Sequence, residues 1–257
     1  MATWSPFLSA DSVQFDAASL QKNWPRLHRC DAEPMPANED VLQAWVLFHN
    51  GDFQQAAEAG LKAGTDGVTV ANKATSVYAR FLEKREKTKL DLFLEVADRA
   101  QVQQALVPGN PNAYFWQAYA LSQYGQAISV TKSMAQGLGN KVKEALNRTI
   151  ELCPAHADAH LALATFHAEV IDKVGALIAG MAYGAKKETG LALFKQALQL
   201  NPDSPVGLID YANGLVMLEG EKKIKEATKL YQQAVASKPQ DSLDRLAVAL
   251  ARVELQN

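Results

Sequence analysis

EALNRTIELCPAHADAHLALATFH, residues Glu144–His167, and LALFKQALQLNPD, residues Leu191–Asp203, decide the fold. Each contains a helix ending, Ile150-Glu151-Leu152-Cys153-Pro154 and Leu198-Gln199-Leu200-Asn201-Pro202, that closes on a proline. Proline cannot extend a helix, because it lacks an N–H and its ring clashes with the preceding turn. A fresh amphipathic run follows each one, so the stretch is a helical hairpin repeated. The same punctuation recurs outward from it: Pro108, Pro154, Pro202 and Pro239 each end a helix. After Pro108, Asn110 is placed to cap the next helix and Pro111 takes its first position; Ser204 and Pro205 do the same after Pro202.

The helices that follow these prolines carry apolar or small residues at helical spacing. They are Tyr114, Gln117, Ala118 and Leu121; His160, Leu163, Ala164 and His167; and Leu208, Tyr211, Ala212 and Leu215. The returning helices carry Leu146 and Thr149; Gly190, Phe194 and Ala197; and Ala227, Tyr231 and Ala234. Upstream, Val41, Ala44, Trp45 and Phe48 share one face, Asn50-Gly51-Asp52 turns the chain, and Phe53, Ala56, Ala57 and Gly60 begin the return. Ala74, Val77, Tyr78, Phe81 and Leu82 mark another helix, Lys84–Lys89 reads as a charged turn, and Leu90–Val107 as the helix after it. This arrangement of bulky and small positions before a closing proline resembles the tetratricopeptide repeat (TPR). The resemblance implies an all-α fold, a right-handed α-solenoid of about four hairpins spanning residues 40–240. Residues 1–39 would form an N-terminal capping segment and residues 241–257 a C-terminal capping helix. Asp241 would cap that helix, with Leu243, Leu246, Ala247, Leu250 and Val253 as its buried stripe.

The lead-in is broken by Pro6, Pro25, Pro34 and Pro36, and Asp11–Lys22 is expected to form one short helix capped by Asp11 or Ser12. Trp4, Phe7, Phe15 and Trp24 make it too apolar for a free tail, so it should pack over the first repeat, whose end would otherwise expose its core. Two hairpins exceed the usual ~34-residue repeat. The excess falls in Tyr124–Gly139 and Val170–Gly190, both apolar and rich in small residues. Helical extensions that stack into a ledge are expected there, with Gly175, Ala176, Ala179 and Gly180 allowing close contact between neighbouring inserts. The Gly184-Ala185-Lys186-Lys187 turn before the Leu191–Pro202 helix is similar to two groups. One is the regulator-of-microtubule-dynamics family. The other is the TPR T-component associated with TRAP-type transporters, which implies a periplasmic lipoprotein, although no lipobox is present.

Hydrophobic residues make up 48% and charged residues 21%, with a net charge of −2. That balance gives no bulk field for nucleic acid. Cys30 and Cys153 make no disulfide framework. The longest apolar run, Val174–Ala185, is too short to span a bilayer. With neither a basic n-region nor an apolar h-region at the N-terminus, a cytoplasmic location is expected, or a periplasmic one if a signal has been removed. A homo-oligomer is compatible with all of this.

Cys153, His156, His160, His167 and Glu169 crowd one stretch, and His156 and His160 share a helical face as two metal ligands would. His160 and His167 fall on packing positions of the repeat, so packing and capping is the expected role. No metal, no cofactor and no catalytic constellation is expected, and the chain reads as a non-enzyme. By register with the TPR family, the groove is lined by Lys73, Ser76 and Arg80; Asn112, Phe115 and Tyr119; Asp158, Leu161 and Thr165; and Val206, Ile209 and Asn213. Lys73 and Arg80 are two turns apart and suited to a carboxylate, with Phe115 and Tyr119 as an aromatic wall. Chaperone-binding relatives clamp a C-terminal carboxylate with Lys, Asn and Arg; Lys73, Arg80 and Asn213 resemble that clamp, with a different spacing across repeats. The function expected is a scaffold holding a peptide or protein partner in its groove. The alternative is a carrier of a small amphiphilic ligand, or a transport-associated accessory protein. The groove reading requires Phe115, Tyr119 and Arg80 to be accessible around one concavity, with Lys73 at its rim.

Overall fold

The computed structural model describes residues 4–7 and 14–256. Among these the helices are α1 (Ala17–Leu27), α2 (Glu39–Asn50), α3 (Phe53–Lys62), α4 (Val68–Phe81), α5 (Glu86–Leu106), α6 (Pro111–Ala127), α7 (Val130–Ala135), α8 (Leu138–Leu152), α9 (Ala157–Val174), α10 (Ala176–Tyr183), α11 (Lys187–Leu200), α12 (Pro205–Glu219), α13 (Ile224–Ala236) and α14 (Ser242–Glu254). The described residues contain no strand. The fold is an all-α helical repeat, paired as α2 with α3, α4 with α5, α6 with α8, α9 with α11 and α12 with α13. Two compact units result: the described residues of Met1–His28 with Glu33–Leu152 and Gln240–Leu243, and Arg29–Ala32 with Cys153–Pro239 and the described residues of Asp244–Asn257.

The proline punctuation has its local cause on display. The Asn110 side chain accepts from the Asn112 N–H at 2.9 Å with Pro111 in the first turn of α6, and Ser204 Oγ accepts from the Gly207 N–H at 3.0 Å with Pro205 opening α12. Each cap satisfies a donor that the first turn leaves open. Between α2 and α3, Gly51 has φ +93°, the left-handed conformation that closes a helix and that glycine adopts without steric cost.

In the first unit the core is built from Ala44, Trp45 and Phe48 of α2, Ala56 and Ala57 of α3, Ala74 and Tyr78 of α4, and Phe93 and Ala97 of α5, all buried. The N-terminal aromatic residues join it. Phe15 and Trp24 are buried, Trp4 stacks on Tyr78 with ring centroids 4.2 Å apart, and Phe7 lies 6.2 Å from Phe53. In the second unit, Leu161, Ala164 and Ala168 of α9 close on Phe194 and Ala197 of α11 and on Tyr211, Leu215 and Leu218 of α12. Leu208, Ile209 and Ala234 pack against Ala247 and Ala251 of α14.

Three sequence expectations shift. The N-terminal helix runs Ala17–Leu27 rather than Asp11–Lys22, started by a reciprocal cap between Asp16 and Ser19; Asp11 and Ser12 lie outside the described residues. Pro25 falls in its last turn and does not stop it before Leu27. The charged run Lys84–Lys89 is partly helix: α5 begins at Glu86, which pairs with Lys89 at 2.9 Å. The buried stripe of α14 is Leu246, Ala247, Val248 and Ala251, while Val253 is 56% exposed. The Asp241 carboxylate also meets His49, 2.7 Å away.

Both long junctions are helical, as α7 and α10, and each packs inside its own unit, α7 on α8 and α10 on α9. The tight contact expected at Gly180 is absent: a Cβ there would meet only the Ala185 carbonyl, at 3.7 Å. A close approach is found at Gly214 of α12, where a Cβ would fall against the edge of the fully buried Phe194 ring. Gly214→Ala is therefore expected to lower stability by roughly 1–3 kcal/mol, the cost of overpacking a filled core. Gly180→Leu should leave the thermal midpoint nearly unchanged, and melting curves of the two variants check both statements.

Candidate functional site

α4 touches both α2 and α6, and the groove residues of the first unit lie on these helices. Lys73, Ser76 and Arg80 follow i, i+3, i+7 spacing along α4, and Asn112, Phe115 and Tyr119 do so along α6. The structure brings the two rows together. At one end Arg80 donates from Nη1 to Tyr119 Oη at 3.4 Å and lies 5.1 Å from the Phe81 ring. Tyr119 sits 6.0 Å from Phe115, 5.4 Å from Trp116 and 6.5 Å from Phe93. At the other end Lys73 Nζ lies 5.5 Å over the Trp45 ring and 5.3 Å over Phe48, and Asn112 Nδ2 donates to Glu33 Oε2 at 2.6 Å.

Accessibility divides this face in two. Arg80 and Tyr119 are half-buried, whereas Lys73, Ser76, Asn112 and Phe115 are at most 3% exposed. The expected rim position of Lys73 and the expected accessibility of Phe115 are thus corrected. Lys73 lies over the rings of Trp45 and Phe48 and Phe115 lies against Trp116 and Tyr119, while the segment preceding α2 meets α2 and reaches Asn112. Trp24 sets its ring edge against Trp45 at 5.8 Å, His28 does so at 4.6 Å, and the Trp24 indole N–H donates to the Glu33 carbonyl at 2.8 Å. Glu33 then reaches Asn112.

The other six sequence-chosen groove residues, Asp158, Leu161, Thr165, Val206, Ile209 and Asn213, belong to the second unit. Leu161 is buried in its core among Phe194 and Tyr211, and Asn213 is exposed, its amide oxygen accepting from Tyr231 Oη at 2.7 Å. The histidines of the same unit serve the backbone. His156 Nδ1 accepts from the Ala159 N–H at 3.1 Å as the cap of α9, and His167 Nδ1 accepts from the Lys186 N–H at 2.9 Å. His160 Nε2 lies 2.9 Å from the Pro154 carbonyl.

Sequence reasoning missed a buried polar chain in the first unit. Asp241 Oδ2 sits 2.7 Å from His49 Nδ1, and His49 Nε2 lies 3.3 Å from His28 Nε2. Ser242 Oγ donates to the His49 carbonyl at 2.9 Å. His49 and Asp241 are nearly two hundred positions apart, so periodicity carries no signal for their meeting. Glu33 on Asn112 was equally invisible. Ser76 Oγ and the indole nitrogens of Trp45 and Trp116 are buried with no hydrogen-bond partner among the described residues.

Beyond the end of α4, Glu83 accepts from the Arg85 N–H, Nε and Nη2 and from Tyr78 Oη, the ring on which Trp4 stacks. The Arg85 guanidinium bonds lead in holding its carboxyl at about 2, below the ordinary 4.5. A depressed carboxylate contributes stability fully above its unfolded value and loses it as pH falls through the folded one. Acid destabilisation between pH 4.5 and about 2 should therefore be shallower in Glu83→Gln than in the parent, as thermal melts across that window measure.

No family model matches the chain, and no curated protein does. The chain is similar to a solved structure described as a thermophilic TPR protein in Thermus thermophilus. The TM-score is 0.57 at 18% identity, covering 84% of this chain and 98% of that one. At that identity the likeness shows the fold, a tetratricopeptide-type helical repeat. No helix among the described residues is long and apolar enough to cross a membrane.

Proposed function

We propose that the protein is a non-enzymatic interaction scaffold that holds a peptide segment of a partner protein on the face shared by α4 and α6. One observation carries this reading: the Asn112 end of that face already receives a length of the chain's own polypeptide, through Glu33, whose carbonyl is bonded by Trp24 packed on Trp45 of α2. The open half supplies a cation, Arg80, beside the aromatic groups of Tyr119 and Phe81. A guanidinium flanked by rings suits a carboxylate-bearing segment, and arginine and tyrosine are the residue types in which binding energy concentrates.

A fluorescence-polarisation screen of acidic peptides against the intact chain tests the proposal. Arg80→Ala should weaken a selected peptide by roughly 1.5–3 kcal/mol, about tenfold or more, with little change in melting temperature. Tyr119→Phe keeps the ring and removes the hydroxyl, so a smaller loss is expected. Should Arg80→Ala lower the melting temperature and leave peptide binding intact, this end of the face is scaffold and the assignment fails.

A further inference from the structure

Resting on that reading, we propose that residues 14–28 and 33–39 are a displaceable resident ligand of the α2–α4–α6 face. The partner would then be a linear segment that offers the same two features, an indole and, several residues later, a glutamate.

The contacts made by this segment are those of a bound peptide. The Asn50 amide takes the Phe15 backbone from both sides, accepting from its N–H at 2.7 Å and donating to its carbonyl at 2.9 Å. The Trp24 indole packs edge-on against Trp45 and, through its N–H, fixes the backbone at Glu33. The Glu33 carboxylate meets the Asn112 amide at 2.6 Å, a charge-assisted bond to a side chain that is otherwise sealed from water.

What lies beneath differs from a permanent core. His49 and Asn112, which Phe15, His28 and Glu33 contact, are buried, and Trp45 Nε1, beside Trp24 and His28, has no hydrogen-bond partner among the described residues. Buried polar groups in a fixed interior are nearly always bonded. A face that alternates between occupants, or between an occupant and water, retains such groups because another state satisfies them. The segment is also lightly held by backbone: no helix or turn spans residues 32–36, Pro34 and Met35 are exposed, and Ala32 has φ +49°. An L-alanine rarely adopts that left-handed conformation.

The test uses the intact chain with Glu33→Gln, which removes the charge and keeps the shape. Amide hydrogen exchange of residues 33–39 should quicken by about tenfold, the scale of one lost charge-assisted hydrogen bond, while amides of α4 and α6 keep the parent's rates. A labelled synthetic peptide of residues 14–39 should bind the Glu33→Gln protein about tenfold or more tightly than it binds the parent, whose face is occupied. Unchanged exchange together with no peptide binding would make the segment a fixed N-terminal cap and overturn the proposal. Acceleration that spreads through α4 and α6 would make it part of the core, and would overturn the proposal equally. Equal peptide binding by both proteins, or faster exchange with none, would place the peptide elsewhere or nowhere and also overturn it. None of these readouts involves a partner protein, so the segment can prove displaceable even if the acidic-peptide screen on Arg80 fails.

Discussion

Phe194 is fully buried, and its ring lies where any side chain on Gly214 would have to go. The hairpin repeat depends on this kind of contact: one helix presents a hydrogen or a methyl group so that its neighbour's ring can fill the space between them. Ala44, Ala74, Ala118, Ala164 and Ala212 are also completely buried, one on each of α2, α4, α6, α9 and α12, and Ala164 shares the cluster of Phe194. Interiors packed this tightly do not stretch to fit a larger group. The repeat therefore holds its geometry while the outer faces of the helices remain free to vary.

On the first unit that freedom is used to build a polar face and then to cover it. Phe15 and Trp24 meet α2 and Glu33 reaches α6, while Asp241 and Ser242 approach α2 from the far end of the sequence. His49 is where these meet, with Asp241 on one ring nitrogen and His28 on the other. Burying an imidazole, a carboxylate, an amide and a lysine is unfavourable unless each finds a partner. The hydrogen bonds among Asp241, His49 and His28, and the Glu33–Asn112 contact, supply partners for several of them. They are directional, so they also fix where the N-terminal segment sits.

Covering one half of the face leaves the other, with Arg80 and Tyr119, as its accessible part. Binding at the open half and displacement of the segment are separable, because they rest on different side chains, Arg80 and Tyr119 for the first and Glu33 on Asn112 for the second. Elsewhere, α10 carries Leu177 and Met181 more than three-quarters exposed, an apolar stripe for which the second unit provides no cover among its described residues.

The helical repeat was legible in the sequence because its determinants are local. Prolines end helices whatever surrounds them, Asn110 and Ser204 cap the turns beside them, and small and large residues three and four apart define a face. Even the packing of Trp4, Phe15 and Trp24 onto the first repeat followed from their being too apolar to leave in water. Which groove residues see solvent was not legible. Lys73 and Phe115 have the spacing of lining residues, yet both are buried, Lys73 over the Trp45 and Phe48 rings and Phe115 against Trp116 and Tyr119. The partnership of His49 with Asp241, the reach of Glu33 to Asn112 and the close approach at Gly214 all join residues from different elements. Helical periodicity records which residues share a face; only the path of the chain in three dimensions decides what lies against it.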